Sequence, residues 1–170
     1  GTVGPFVYDG TAHTPEPTVH DGATLLVKDT DYTLSYADNT NAGTATVTVT
    51  GIGNYTGTQD QSFTIQQRTL AVTPAAGQSK TFGEADPVFA YTHSGAVAGE
   101  TPAFSGALSR VVGEDVGTYA ILVGTLALAD SSPFLAANYT LSFTDGVTFA
   151  ITHWPDVSGN SVQAVWTIYL

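Results

Sequence analysis

Four histidines are the first side chains to consider for metal binding or proton transfer: His13, His20, His93 and His153. Zinc hydrolases hold their metal through histidines at short fixed spacings such as H-E-x-x-H, and none of the four has such a neighbour. We therefore interpret them as solvated loop residues. The chain also contains no G-x-S-x-G motif, no P-loop and no dinucleotide fingerprint, so we predict that it is not an enzyme.

Three pairs of acidic residues offer the hard oxygen ligands that Ca²⁺ prefers. These pairs are Asp29 with Asp31, Glu84 with Asp86, and Glu114 with Asp115. None of them matches an EF-hand loop, and carboxylates commonly lie in turns, where they accept local hydrogen bonds. We therefore predict no cofactor and keep calcium as the alternative.

Composition excludes several classes of partner. Cysteine and methionine are both absent, which rules out disulfides, thiol chemistry and cysteine-ligated metal. The net charge of −11 reflects scarce bases, of which there are only four: Lys28, Arg68, Lys80 and Arg110. Because no basic cluster exists to displace counterions from phosphates, nucleic acid and anionic membranes are poor partners. No apolar run spans a bilayer, so we predict no membrane insertion.

The elements that position these residues are predicted to be strands. In 44–50 every second residue is threonine, while Ala45, Val47 and Val49 point to the opposite face. The apolar run 118–123 predicts a strand that is covered on both faces. Turn residues separate such runs at short intervals, and no helical periodicity competes. This pattern predicts an all-β fold of tandem immunoglobulin-like antiparallel β-sandwich modules.

One module occurs twice in the chain. The landmarks 8–10, 42–45, 54–56 and 63–65 correspond in order to 82–84, 116–120, 138–140 and 149–151. The second copy has an apolar lead-in that the first copy has no room for, so we expect module one to lack its first strand. The predicted division is module one at 1–67, module two at 68–151, a linker at 152–161 and a spare strand at 162–170.

The spare C-terminal strand has one wholly apolar face, made by Val162, Ala164, Trp166, Ile168 and Leu170. Such a strand pairs readily with an open sheet edge, and the missing first strand of module one should leave one. We therefore predict that the strand completes module one of another copy, so that copies assemble head to tail into filaments. Two alternatives stay open: the strand completes its own module one, or it opens a following module of a longer polypeptide.

Several spaced motifs carry a family resemblance. They are 80–87 (KTFGEADP), 105–110 (SGALSR), 113–119 (GEDVGTY) and 138–140 (NYT). Together they resemble the MBG/YDG-type Ig-like repeats of large bacterial surface proteins and adhesins, with Phe82 where the family more often has tyrosine. The resemblance covers 8–151 and implies a non-catalytic β-sandwich repeat that serves as a stalk or spacer in an exported protein.

These observations predict a structural repeat subunit of a bacterial extracellular filament or surface stalk. Its partners are predicted to be copies of itself or neighbouring repeats of the same polypeptide. The absence of oxidisable sulfur suits a secreted or cell-surface location. The alternative function is an adhesin module that binds a glycan or a host protein. Lys28 and Lys80 are further candidates for a Lys–Asn isopeptide cross-link of the kind carried by Gram-positive surface sandwiches.

Overall fold

The computed structural model describes residues 3–154, and these residues are almost entirely β-structure, which confirms the predicted all-β class. The first strands are β1 (Phe6–Val7), β2 (His20–Asp21), β3 (Thr24–Leu25), β4 (Tyr32–Ala37), β5 (Gly43–Gly51) and β6 (Thr58–Gln66). They are followed by β7 (Arg68–Pro74), β8 (Ser79–Thr81), β9 (Tyr91–Ser94), β10 (Ala103–Ser105), β11 (Ser109–Arg110), β12 (Gly117–Leu122), β13 (Ala127–Ala129), β14 (Tyr139–Phe143) and β15 (Thr148–Thr152). The predicted C-terminal strand, 162–170, lies outside the described residues.

The chain divides into two compact units. Of the described residues, unit 1 contains 3–69 together with 95–102 and 130–140, and unit 2 contains 70–94, 103–129 and 141–154. Two segments of the second sequence repeat therefore belong to unit 1. The module bounds at 1–67 and 68–151 remain a prediction.

Unit 1 is built on a four-stranded sheet in the order β1-β6-β5-β4. The alternation in β5 is as predicted, because Ala45 and Val47 are fully buried while Thr44 is exposed. These two side chains join the aromatic and branched residues of the neighbouring strands to form the core. The buried core residues of unit 1 are Tyr8, Tyr32, Ala45, Val47, Phe63, Ile65, Phe134 and Tyr139.

Unit 2 contains a four-stranded sheet in the order β11-β12-β15-β8. The three-stranded sheet places β7 between β9 and β14, and the β7 side chains Leu70 and Val72 are fully buried. The prediction that 118–123 is covered on both faces was wrong. In β12 only Ile121 is buried and Leu122 is 39% exposed. Alternate side chains point to opposite faces of a strand, and only one face of β12 lies over the core.

Strand pairing has the same register in the two four-stranded sheets. Each sheet centres on an isoleucine that meets a glycine of an antiparallel strand and a residue of a short parallel strand. The pairs are Gly43 and Phe6 with Ile65 in unit 1, and Gly117 and Lys80 with Ile151 in unit 2. The sequence landmarks are therefore structural landmarks. Residues 8–43 correspond to 82–117 with a shift of 74, and 54–56 correspond to 138–140 with a shift of 84.

Candidate assembly site

Of the predicted calcium ligands, Asp86 and Glu114 are brought together, but around the cations Lys80 and Arg110. Within residues 3–154, no three His, Cys, Asp or Glu side chains are grouped so that they could hold a metal ion. Asp31 accepts a hydrogen bond of 2.8 Å from the Val27 amide, and Glu84 accepts one of 3.0 Å from the Thr81 amide. These carboxylates thus have the local turn-stabilising role that competes with calcium binding. Calcium remains an untested prediction.

His13 is not a solvated loop residue. Its side chain is only 12% exposed, and its ring stacks on Phe6 with centroids 4.6 Å apart. Its Nε2 lies 3.5 Å from an Asp9 carboxylate oxygen and makes no hydrogen bond to a described residue. The burial depends on β1, so the sequence around His13 carried no signal for it. The other three histidines are exposed, as predicted, but His20 lies in β2 and His93 in β9 rather than in loops.

Unit 1 contains a cavity of about 230 Å³. Its lining combines the β2–β3 hairpin with the chain that follows β5. The lining residues are Val19, Leu26, Asp31, Tyr32, Val49, Gly51, Tyr55, Thr56, Gly57, Thr58 and Gln59. Leu25 and Val27, the sequence neighbours of the lining residue Leu26, are 59% and 57% exposed. Exposed apolar side chains close to a partly apolar cavity are typical of a surface that another element covers.

The repeat correspondence shows what fills the equivalent place in the second repeat. There β7 lies between β9 and β14. The counterparts of β9 and β14 in the first repeat are 17–20 and 55–59, by the shifts of 74 and 84, and both segments line the cavity. Within the described residues, β2 pairs only with β3 in a two-stranded sheet. The cavity therefore lies where a counterpart of β7 would insert.

A second feature of unit 1 is a carboxylate shared by two tyrosines, which we call the tyrosine–glutamate cluster (Tyr8, Glu100 and Tyr139). The hydroxyl of Tyr8 donates to Glu100 Oε1 at 2.5 Å, and that of Tyr139 donates to Glu100 Oε2 at 2.6 Å. The two tyrosine rings meet edge to face with centroids 5.5 Å apart. Because Tyr139 also accepts a hydrogen bond from the Val97 amide, both added segments of unit 1 are tied to the first repeat.

Asn138 forms a cap beside this cluster and is only 1% exposed. Its Oδ1 accepts a 2.9 Å hydrogen bond from the Ala42 amide, and its Nδ2 donates to Asn41 Oδ1 at 3.0 Å. A buried amide side chain is favourable only when its donors and acceptors are paired, so this cap specifies how 130–140 packs on the first repeat within unit 1.

We expect Tyr8→Phe to lower the free energy of unfolding by about 1–2 kcal/mol, because a buried hydrogen bond to a carboxylate is lost. Burial first, and then the hydrogen bond to Glu100, raises the pKa of Tyr8 to about 12. A raised folded-state pKa stabilises the protein below the ordinary value of 10.0 and is lost as the pH rises toward 12. Phenolate absorbance should show a late-titrating tyrosine that the variant lacks.

The matched control for this prediction is Tyr91→Phe in unit 2. The Tyr91 ring packs against Phe104, and no described residue hydrogen-bonds its hydroxyl. It should leave both the late titration and the alkaline loss of stability unchanged. Equal titration curves for the Tyr8 and Tyr91 variants would contradict the assignment.

Unit 2 contains an ionic cluster formed by Lys80, Asp86, Arg110 and Glu114. The guanidinium of Arg110 binds both Asp86 oxygens at 2.7 and 2.9 Å and one Glu114 oxygen at 2.7 Å. Lys80 contacts the same two carboxylates. Arg110 also lies over the rings of Tyr119 and Phe149, 5.0 and 5.5 Å from their centroids. The sequence motifs contain these residues, but Asp86 and Glu114 were candidate calcium ligands there and not predicted partners of Lys80 and Arg110.

A cavity of about 480 Å³ adjoins this ionic cluster. Its rim includes Val88 and Val112, which are 91% and 95% exposed, and its floor includes Phe89 and Leu108. Asp86 and Glu114 also reach it, but their carboxylates bind the cations of the cluster. The cavity is therefore an apolar depression beside carboxylates that are already paired with cations.

The molecule is an all-β protein in which the strand register of one four-stranded sheet recurs in the other. Residues 70–149 match the family model of the MBG domain (YGX type), which confirms the predicted resemblance for the second repeat. MBG domains are non-enzymatic modules of surface proteins. Neither a curated protein nor a solved structure matches this chain. Among the described residues, no helix has the length and hydropathy needed to cross a membrane.

Proposed function

We propose that the chain is a structural repeat subunit of a bacterial extracellular filament or surface stalk. It is built from two tandem Ig-like modules, and copies assemble head to tail when the C-terminal strand 162–170 of one inserts into the first repeat of the next. One observation carries the proposal: the 230 Å³ cavity of unit 1 lies at the strand position that β7 fills in the second repeat.

The composition of the C-terminal strand fits this position. In β7 the buried side chains alternate, with Leu70 and Val72 fully covered and Thr69 exposed. The sequence from 162 to 170 alternates in the same way, with an apolar residue at every even position. Burial of five such side chains contributes about 6–12 kcal/mol as an upper bound from area. Main-chain hydrogen bonds to the flanking strands would fix the register.

Donation between copies produces an open assembly. The donor strand and the receiving cavity are different surfaces, so the contact is heterologous and does not close on itself as a two-fold dimer does. A subunit that both gives and receives a strand extends at each end. This geometry suits the stalk or spacer function of MBG-containing surface proteins.

Truncation after Ser161 is the direct test. We expect the full chain to form filaments, seen by light scattering and electron microscopy, and the truncated chain to stay monomeric. If the full chain is monomeric and truncation lowers its stability, the strand folds back on its own first repeat. If both chains are equally stable monomers, the strand belongs to a following module. Either result would overturn donation between copies.

A pair of point variants separates the apolar face from the mere presence of the strand. Ile168→Asp places a charge on the apolar face, and Thr167→Asp places the same charge on the other face one position away. We expect the first to abolish filaments, because a buried unpaired carboxylate is strongly unfavourable. The second should assemble as the parent does. Equal assembly of the two variants would argue against a buried face.

A further inference from the structure

The contacts that close unit 1 have counterparts elsewhere in the chain that are open. Tyr8 of the tyrosine–glutamate cluster is 4% exposed, whereas its counterpart Phe82 is 46% exposed. Asn138, the cap, is 1% exposed, whereas its counterpart Asn54 is an exposed residue. The Tyr8 surface and the Asn138 surface are therefore in contact within unit 1, whereas their counterparts at Phe82 and Asn54 are both exposed.

We infer that a second copy of this chain docks on unit 2 through these open halves. The asparagine end of the second copy, made by Leu26, Asn54 and Tyr55, would contact the receiving end of the first, made by Phe82, Asp115 and Val116. The inference rests on the proposed function, since it assigns a second contact surface to the same head-to-tail assembly. Each copy has both ends, so the contact repeats along a filament.

The hydrogen-bonding chemistry of the Asn138 cap is conserved between the two places. The cap binds the amide of residue 42 and the side-chain oxygen of residue 41. The shift of 74 places the backbone amide of Val116 and the carboxylate of Asp115 at these two positions. Asn54 of a second copy would accept a hydrogen bond from the Val116 amide and donate one to the Asp115 carboxylate. A charged acceptor makes the latter hydrogen bond stronger than its counterpart.

The aromatic contact changes in a complementary way. In unit 1 the hydroxyl of Tyr8 needs an acceptor, which Glu100 provides. Its counterpart Phe82 has no hydroxyl, and the residue at the position of Glu100 is Leu26. A polar pair is thus replaced by an apolar pair rather than by a mismatch. The remaining ring of the contact is retained, because Tyr55 corresponds to the second tyrosine of the cluster.

The absence of cysteine allows a direct test by site-specific cross-linking. Phe82→Cys and Tyr55→Cys chains are mixed in equal amounts and treated with a short bis-maleimide. The control mixture replaces the first with Val112→Cys, a position of unit 2 that is more exposed than Phe82 (95% against 46%) and so reacts at least as readily by chance encounter. We expect about tenfold more covalent dimer in the first mixture than in the control. Neither variant alone should cross-link efficiently, because a heterologous contact joins different positions.

The outcomes separate this inference from strand donation. Equal yields in the two mixtures, in chains that form filaments, would overturn the docking surface and leave the proposed function standing. A selective 82-to-55 cross-link in chains that form no filaments would support docking and overturn strand donation. Loss of the cross-link after Asn54→Leu, with retention after Gln61→Leu, which changes an exposed amide outside the cavity lining, would support the asparagine end. Retention of the cross-link in both would overturn it.

Discussion

Arg110→Ala is expected to destabilise unit 2 by about 2–3 kcal/mol. The side chain is 5% exposed and supplies hydrogen bonds to Asp86, Glu114 and the carbonyl oxygens of Val111 and Gly113. Its removal takes this donor from the two carbonyl oxygens, leaves Asp86 and Glu114 paired with Lys80 alone, and uncovers two aromatic rings. This loss is smaller than the roughly 3–5 kcal/mol typical of a broken buried ion pair, because the carboxylates are partly exposed and water can solvate them. Urea unfolding measures the loss.

The pH dependence should change with this variant. The hydrogen bond from Arg110, followed by that from Lys80, lowers the pKa of Asp86 below its ordinary value of 3.8. A lowered folded-state pKa stabilises the protein above that value, and the contribution is lost as the pH falls through the folded-state pKa. Arg110→Ala should therefore show a shallower acid dependence below pH 3.8 than the parent.

Lys28→Ala is the matched control for the loss of a cation. Lys28 pairs with Glu16 at the surface, where both side chains are well exposed. Surface ion pairs contribute little to stability, so this variant should unfold as the parent does at both neutral and acid pH. If the two variants lose stability equally, net charge and not the ionic cluster is the cause.

Local patterns in the sequence were sufficient for the all-β class and for the buried face of β5. Alternation alone indicated that Ala45 and Val47 would be buried, because strand side chains point to opposite faces in turn. The glycine landmarks indicated equivalent positions in the two repeats. In the structure Gly43 pairs with Ile65 and Gly117 pairs with Ile151, so the two registers agree. The repeat also predicted that the first repeat lacks a strand, and within the described residues β2 pairs only with β3. These features depend on residues that are close together in the chain.

Contacts between distant residues could not be predicted in the same way. Tyr8 and Glu100 are separated by 92 positions, and neither lies in a pattern that names the other. The repeat gave only an indirect indication of this cluster. Tyr55 and Tyr139 each follow an asparagine at matching positions, but their surroundings differ. The buried state of Arg110 was equally hidden. A motif with acids and bases close together predicts an ion pair or a metal site equally well, and packing on Phe149 decides the outcome.

Gly106→Ala should be at least as destabilising as loss of Arg110, for a different reason. Gly106 has φ of +72°, a conformation that costs an alanine about 1–2 kcal/mol. A Cβ at this position would also lie 2.1 Å from the carbonyl oxygen of Thr125 and 2.6 Å from its carbonyl carbon. The opposing backbone would have to move, and Thr125 donates a 3.0 Å hydrogen bond to Ala107 that holds it there. Overpacking of this kind adds about 2 kcal/mol or more.

Gly146→Ala separates the two contributions. Gly146 has φ of +89°, but a Cβ there would meet no atom within 4 Å. It should therefore show only the conformational cost, and the difference between the variants measures the steric overlap. The close approach is reciprocal. A Cβ at Gly124, the neighbour of Thr125, would lie 2.6 Å from the carbonyl oxygen of Ala107, the neighbour of Gly106, so the two backbone segments contact each other through a pair of glycines. If Gly106→Ala and Gly146→Ala unfold at the same urea concentration, the two backbone segments move apart with no loss of free energy of unfolding. This close approach would then not stabilise unit 2.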